Sequence, residues 1–176
     1  FGLVLLGSFS LNLIGRGLVE ALGLAIYLDM IGTAVAAVLL GPWWGALVGL
    51  SANVAGVAVS GPIAWHFALV NVVGALIWGY GYHRFGMGRS ILRFFSLNLL
   101  VGAVCTVVAT PIAILMYDGF TEHDSSEVAR VVFGVIPSVP AAVFTSNLLL
   151  SLVDKMVSGY AALVARELTE ARRPGN

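Results

Sequence analysis

Charged residues are scarce in this sequence. Only 10% of its 176 residues are Asp, Glu, Lys or Arg, whereas 59% are hydrophobic and the mean hydropathy is +0.97. A soluble domain carries about 25% charged residues, so water is not the only solvent of this chain. Nine acidic side chains balance nine basic ones, which leaves no basic surface for a nucleic acid. The composition predicts an all-α integral membrane protein.

Motifs for catalysis and cofactor binding are also absent. The sequence has no Gly-x-Ser-x-Gly, no His-Glu-x-x-His and no Gly-x4-Gly-Lys-Ser/Thr phosphate loop. Its single cysteine, Cys105, excludes an internal disulfide, and no Cys/His cluster has the spacing of a zinc site. We therefore expect a protein that is not an enzyme and that has no catalytic residues, cofactor or metal.

The apolar runs predict a bundle of six transmembrane helices. A bilayer core of about 30 Å is crossed by about 20 apolar residues, and Gly-Pro pairs and polar residues divide the runs. The second segment is short, so it is a short or tilted helix or a re-entrant one; five crossings or a re-entrant pair is the alternative. The predicted segments are residues 3–27, 31–40, 43–60, 64–82, 91–117 and 128–157.

Loop charges predict the orientation of the bundle. Arg84 and Arg89 lie between the fourth and fifth segments, with Arg93 nearby, and Lys155 belongs to a second basic group near the C-terminal end. The loop at 118–127 is acidic. Because Lys and Arg prefer the cytoplasmic side, we expect both termini in the cytoplasm and the acidic loop outside.

Two regions follow from this assignment. Residues 1–158 form the transmembrane substrate-binding domain, and residues 159–176 form a polar cytoplasmic tail that includes a candidate surface helix. The first residue is Phe1 rather than Met, so we expect further sequence before it.

Polar residues of the predicted segments gather toward the outer half of the bundle. Such residues are functional candidates, because burying them unpaired in a bilayer is expensive. An acid, a base, amides and aromatic rings together suit a pocket for a small polar, partly aromatic solute. Interfacial anchoring is the alternative for the aromatics, and helix–helix hydrogen bonding for the amides and the histidine. The candidate binding residues are Asp29, Asn53, Trp65, His66, Asn71, Tyr117 and Arg130.

Arg16 and Glu20 stand out inside the first segment. They are four residues apart and share one helix face. A mutual ion pair is the simplest interpretation, and contact with a partner protein is the alternative.

Small residues recur at helical spacing in two segments. Such stripes let helices approach closely, so they indicate either internal packing or docking against another membrane subunit. The candidate interface residues are Gly17, Ala21, Ala25, Gly45 and Gly49.

Residues 12–60 resemble a known family. Asn-Leu-Ile-Gly at 12–15 precedes Tyr-Leu-Asp-Met-Ile-Gly-Thr at 27–33, then Leu-Gly-Pro-Trp-Trp-Gly-Ala-Leu-Val-Gly at 40–49, then Asn53. This order resembles the substrate-binding S components of energy-coupling factor (ECF) transporters. The rest of the chain is similar only in size, helix count and predicted orientation.

The resemblance implies a six-helix binding subunit of an ABC importer in a prokaryotic cell membrane. Such a protein binds a vitamin or similar small organic metabolite near the outer face, using helices four to six and the loop after helix one. It has no ATPase activity of its own and works with a transmembrane coupling subunit and two cytoplasmic ATPases. The family's Ala-x-x-x-Ala contact motif corresponds to Ala21 and Ala25. A membrane sensor or receptor module, and a small membrane enzyme or lipid-handling protein, are the alternatives.

Overall fold

The computed structural model describes residues 1–121 and 124–171. Within these ranges the secondary structure is helical throughout, which confirms the all-α prediction. A 3-10 turn, Met87–Arg89, joins the fifth and sixth α-helices. The α-helices are α1 (Gly2–Leu22), α2 (Ile31–Leu40), α3 (Pro42–Ser60), α4 (Ile63–His66), α5 (Ala68–His83), α6 (Ile91–Tyr117), α7 (Ser125–Val135) and α8 (Val139–Ala171).

Four helices, α1, α3, α6 and α8, are long and apolar enough to cross a membrane. Their outer faces carry large apolar side chains, among them Leu3, Val107 and Leu115, which are 61–87% exposed. An apolar surface of this extent requires an apolar environment or partner. The fold is therefore compatible with a multi-pass membrane protein.

The short helix α2 lies at the centre of the bundle. It contacts α1, α3, α5 and α8, and every residue from Gly32 to Val38 is buried. A helix that is apolar on all sides is stable only when other helices surround it. An alanine Cβ at Gly32 would lie 1.7 Å from the Ser8 carbonyl oxygen, so α1 and α2 meet backbone to backbone.

The first helix is shorter than predicted. It ends at Leu22 because Gly23 adopts a left-handed conformation, φ 60°, and donates its N–H to the carbonyl of Val19. Residues 24–30 form an irregular loop that crosses the end of the bundle toward α2. Ala25 therefore lies in this loop and does not continue a stripe along α1.

The predicted sixth segment, residues 128–157, is divided in the structure. Helix α7 ends before Pro137, because a residue that precedes proline is driven out of the helical region, and Ile136 is extended at φ −114°, ψ 94°. Helix α8 then runs from Val139 to Ala171. It passes through the predicted boundary at residue 158 without a break, so the described part of the tail is a continuation of this helix.

The two small-residue stripes differ in their surroundings. Gly45 packs against Ala37 of α2, and Gly49 packs against Thr33 and Asn71, so both glycines face helices of this chain rather than an external partner. On α1, a Cβ at Gly17 would meet no atom within 4 Å. Ala21 of the same helix is exposed. These last two positions are open to a partner or to lipid.

Candidate functional site

A cavity lies at the end of the bundle where α1 finishes and α2 begins. Its volume is about 100 Å³, several times the roughly 10–15 Å³ that one enclosed water molecule needs. Helices α1, α3, α4, α5, α6, α7 and α8 and the loop 24–30 contribute to its wall. The charged and aromatic residues of the wall are Arg16, Glu20, Tyr27, Asp29, Phe67 and Lys155.

A largely buried ion pair holds one side of the cavity. The Arg16 Nη2 atom lies 2.7 Å from Asp29 Oδ2, and the two side chains are only 11% and 17% exposed. Arg16 also donates to Asn53 Oδ1 at 3.0 Å and to Ser60 Oγ at 3.5 Å. Asn53 is itself fixed, because its Nδ2 donates to the Gly49 carbonyl at 2.9 Å. The guanidinium is therefore compensated and hydrogen-bonded, as a buried charge must be.

A series of hydrogen-bonded polar side chains from α1, α2 and α5 ends at the Asp29 carboxylate. Asn12 Oδ1 accepts the backbone N–H groups of Gly32, at 2.7 Å, and Thr33, at 3.2 Å. These are donors of the first turn of α2 that no helical carbonyl can accept. The Asn12 Nδ2 donates to Thr33 Oγ1 at 2.8 Å, Thr33 donates to Asn71 Oδ1 at 3.0 Å, and Asn71 Nδ2 donates to Asp29 at 3.4 Å. Helices α1, α2 and α5 thus fix the carboxylate in place.

A second charged pair lies across the cavity on α8. Asp154 and Lys155 are 0% and 2% exposed, and the ammonium bonds its neighbour's carboxylate. Asp154 Oδ1 accepts the Leu28 backbone N–H at 3.0 Å. The Lys155 Nζ lies 5.7 Å from the centroid of the Tyr27 ring, and the Tyr27 hydroxyl donates to Asn147 Oδ1 at 2.6 Å. These contacts bind the loop 24–30 to α8 and order this side of the wall.

Glu20 does not pair with Arg16, although the two share a face of α1. The Arg16 guanidinium turns to Asp29 instead. Among the described residues, no Lys or Arg forms an ion pair with Glu20. Its side chain is exposed and still contributes to the cavity wall, so it lies at an opening.

The aromatic candidates of the sequence lie beside the cavity rather than in its wall. His66 Nδ1 and the Tyr117 hydroxyl are 2.5 Å apart, and the Tyr117 ring stacks on Phe67 with centroids 6.4 Å apart. Phe67 is the member of this cluster that reaches the cavity. Trp65 is 54% exposed and is not part of the cavity wall.

Arg130 interacts with other groups instead of the cavity. Its guanidinium bonds Glu127 one turn earlier and lies over the Phe120 ring. The Arg130 side chain is half-exposed and is not part of the cavity wall. Of the seven candidates, the structure therefore brings Asp29 and Asn71 into the wall and Asn53 directly behind it.

The resemblance implies that the sixth segment takes part in binding, but the candidate residues from the sequence include only Arg130 from α7 and none from α8. Lys155 had the appearance of a cytoplasmic loop base, but it is buried in α8. Asn147 of α8 hydrogen-bonds Tyr27 in the cavity wall. The available signal was an Asp-Lys pair inside an apolar run, because membrane segments rarely hold charges without a function. Helices α7 and α8 also contribute four serine hydroxyl groups to the cavity wall: Ser125, Ser126, Ser146 and Ser151.

In the described ranges, no three His, Cys, Asp or Glu side chains come together as a metal site requires. The fold and the cavity define a helical protein, compatible with several membrane crossings, with a mainly apolar cavity whose wall also carries charged, polar and aromatic groups. No family model matches the chain, and no curated protein or solved structure is significantly similar to it.

Proposed function

We propose that this protein is the membrane-embedded binding subunit of an ECF-type importer. It captures a vitamin or similar small organic solute in the cavity at the α1–α2 end and releases it inward. The observation that carries this proposal is the cavity itself: a concave space whose wall combines aromatic rings, amides, hydroxyls and fixed charges. Sites for small molecules have this composition.

Preorganisation of the wall supports a binding role. Arg16 and Lys155 each have a carboxylate partner, and Tyr27 and Asn71 are held by hydrogen bonds. Groups that are ordered before binding lose little conformational entropy when the solute arrives, which favours high affinity.

The proposal assigns the energy for transport to other subunits, a transmembrane coupling protein and two cytoplasmic ATPases. Its support is the resemblance carried by residues 12–60. In this arrangement six segments, with α4–α5 as the fourth and α7–α8 as the sixth, cross the cell membrane of a prokaryote. Both termini are cytoplasmic and the cavity opens outward.

Mass spectrometry of the gently purified protein tests solute binding. The wild-type chain is expected to carry one small organic compound per chain. The variant Ala113→Phe places a ring in the cavity, because Ala113 is a buried wall residue on α6, and it should purify empty. Val107→Phe is the matched control, since Val107 lies on the outer face of the same helix at 61% exposure; it should keep the compound.

Two results would contradict the binding role. One is an empty wild-type protein that also shows no thermal stabilisation by a metabolite extract of its host. The other is an equal amount of compound in both phenylalanine variants, which would place the bound molecule outside the cavity.

Co-purification with tagged coupling and ATPase subunits tests the partner assignment separately. Ala21→Leu enlarges an exposed position of α1 beside the open surface at Gly17. We expect it to reduce assembly while solute binding is retained. Assembly at the wild-type level would exclude this face of α1 as the docking surface.

A further inference from the structure

We propose that the cavity selects a small organic cation, a solute with a protonated amine or another cationic nitrogen, and that Glu20 is the residue that attracts it. This inference rests on the proposed function, since it assigns a class of solute to the same cavity.

The charges around the cavity are not balanced. Four charged residues contribute to the described wall: Arg16, Glu20, Asp29 and Lys155. Arg16 is neutralised by Asp29, and Lys155 by Asp154 behind it. Glu20 has no such partner among the described residues, so its negative charge is left over.

An anionic solute would disrupt the wall. To bind Arg16 or Lys155 strongly, it would have to draw the base away from its carboxylate. Lys155 is 2% exposed, and Arg16 is also held by Asn53. Leaving Asp29 or Asp154 buried without a partner is strongly unfavourable. A cation that approaches Glu20 requires no such rearrangement.

The remainder of the wall suits the body of such a solute. Glu20 is exposed, whereas the same wall also contains the ring of Phe67 and the buried apolar side chains of Val19, Met30 and Val70. Aromatic faces attract cationic groups as well as apolar ones. The geometry therefore favours an amphipathic solute whose cationic nitrogen lies near the opening and whose ring or chain lies inside.

Three probes of nearly equal size and different charge test this inference: benzylammonium, benzyl alcohol and benzoate, titrated at pH 7 into the full chain in detergent. We expect benzylammonium to bind at least about fivefold more tightly than benzoate. A single exposed ion pair supports an effect of this size. Glu20→Gln should remove most of this preference. Asp118→Asn neutralises an exposed carboxylate that is not part of the wall, and it should keep the preference.

Every other outcome overturns the inference. Equal or tighter binding of benzoate, or an unchanged preference in Glu20→Gln, contradicts the assignment of Glu20. If the protein purifies with an anionic or neutral compound, the binding function stands and the cation assignment fails. If no compound co-purifies and none of the three probes binds, both fail.

Discussion

Arg16 shows how one side chain decides the charge of the whole cavity. Helical spacing offers it Glu20, but the loop 24–30 brings Asp29 to 2.7 Å in a largely buried place. There the Arg16 guanidinium bonds both Asp29 and Asn53. A solvent-exposed pair with Glu20 along the helix would stabilise it less. Because Arg16 pairs with Asp29, Glu20 lies at the opening without an ion-pair partner among the described residues.

Removal of Arg16 should therefore be severe. Arg16→Met leaves the Asp29 carboxylate buried without its partner, and a loss of about 3–5 kcal/mol of stability is expected. The double variant Arg16→Met/Asp29→Leu should recover most of this loss, because no unpaired charge remains. Unfolding in mixed detergent–SDS micelles measures both values.

Glu170→Gln is the control for this comparison. It breaks the Arg166–Glu170 pair on α8, whose side chains are 37% and 56% exposed, and should cost less than about 1 kcal/mol. If Arg16→Met is as stable as Glu170→Gln, the Arg16–Asp29 pair contributes no more to the free energy of unfolding than an exposed ion pair does.

The candidate site makes a second residue-scale prediction. Asp29→Asn removes the charge that compensates Arg16 in the cavity wall, and we expect at least about a tenfold loss of affinity for the co-purified solute, the loss that about 1.4 kcal/mol produces. The sequence pattern predicts that His66→Ala and Arg130→Ala weaken binding too. The structure places Arg130 outside the wall, so its variant should have the smaller effect in the same titration. An Arg130→Ala variant that loses more affinity than Asp29→Asn would move the site toward α7.

At the scale of elements, the close approach of α1 to the loop 24–30 positions Asp29. A Cβ at Gly15 would lie 2.0 Å from the Leu28 carbonyl oxygen, and a backbone atom cannot yield as a flexible side chain can. Leu28 itself has a positive φ of 48°, a conformation unusual for a residue with a side chain.

Two glycines on one helix therefore make a matched test. Gly15→Ala should lower stability by about 1–3 kcal/mol through overpacking, and it should weaken solute binding because the loop must move. Gly17→Ala meets no atom within 4 Å and should be neutral or stabilising by about 0.5–1 kcal/mol, the helix-forming advantage of alanine. Thermal unfolding of the two variants side by side measures the difference. Equal stability would mean that α1 and the loop are farther apart than described.

Two breaks in the helices were signalled in the sequence, and both shape the cavity. Gly23 is a residue that commonly ends a helix, and Pro137 forces an interruption before α8. The apolar runs continue past both residues, so a prediction based on hydropathy and length places them inside single segments. The resulting loop 24–30 and helix α7 both contribute to the wall.

For the whole molecule, the central prediction is that α6 crosses a membrane. Its 27 residues span about 40 Å at the helical rise, so its two ends should lie on opposite sides. With Cys105→Ala as background, Asp118→Cys is expected to react with an impermeant maleimide on intact cells. Arg89→Cys should react only after permeabilisation.

The wild-type chain is the control, because its native Cys105 is fully buried and should not react in either case. Labelling of both introduced cysteines from outside would show that α6 does not span. Reversed labelling would mean that the orientation is opposite to the predicted one. Lys155 would then have to be left out of the charge count on which the orientation rests, since it is buried and is not a loop charge.

The sequence by itself determined the helical class, the apolar exterior and most helix positions, because these depend on composition and on spacing along one chain. It also indicated Asp29, Asn53 and Asn71, since polar groups inside apolar segments require partners. Only the tertiary structure decided which partners they have. Arg16 pairs with Asp29 rather than Glu20, and Lys155 faces Tyr27 across 128 positions of sequence. Such pairings depend on the free energy of burying a charge at one place in the folded chain, and local spacing carries no information about it.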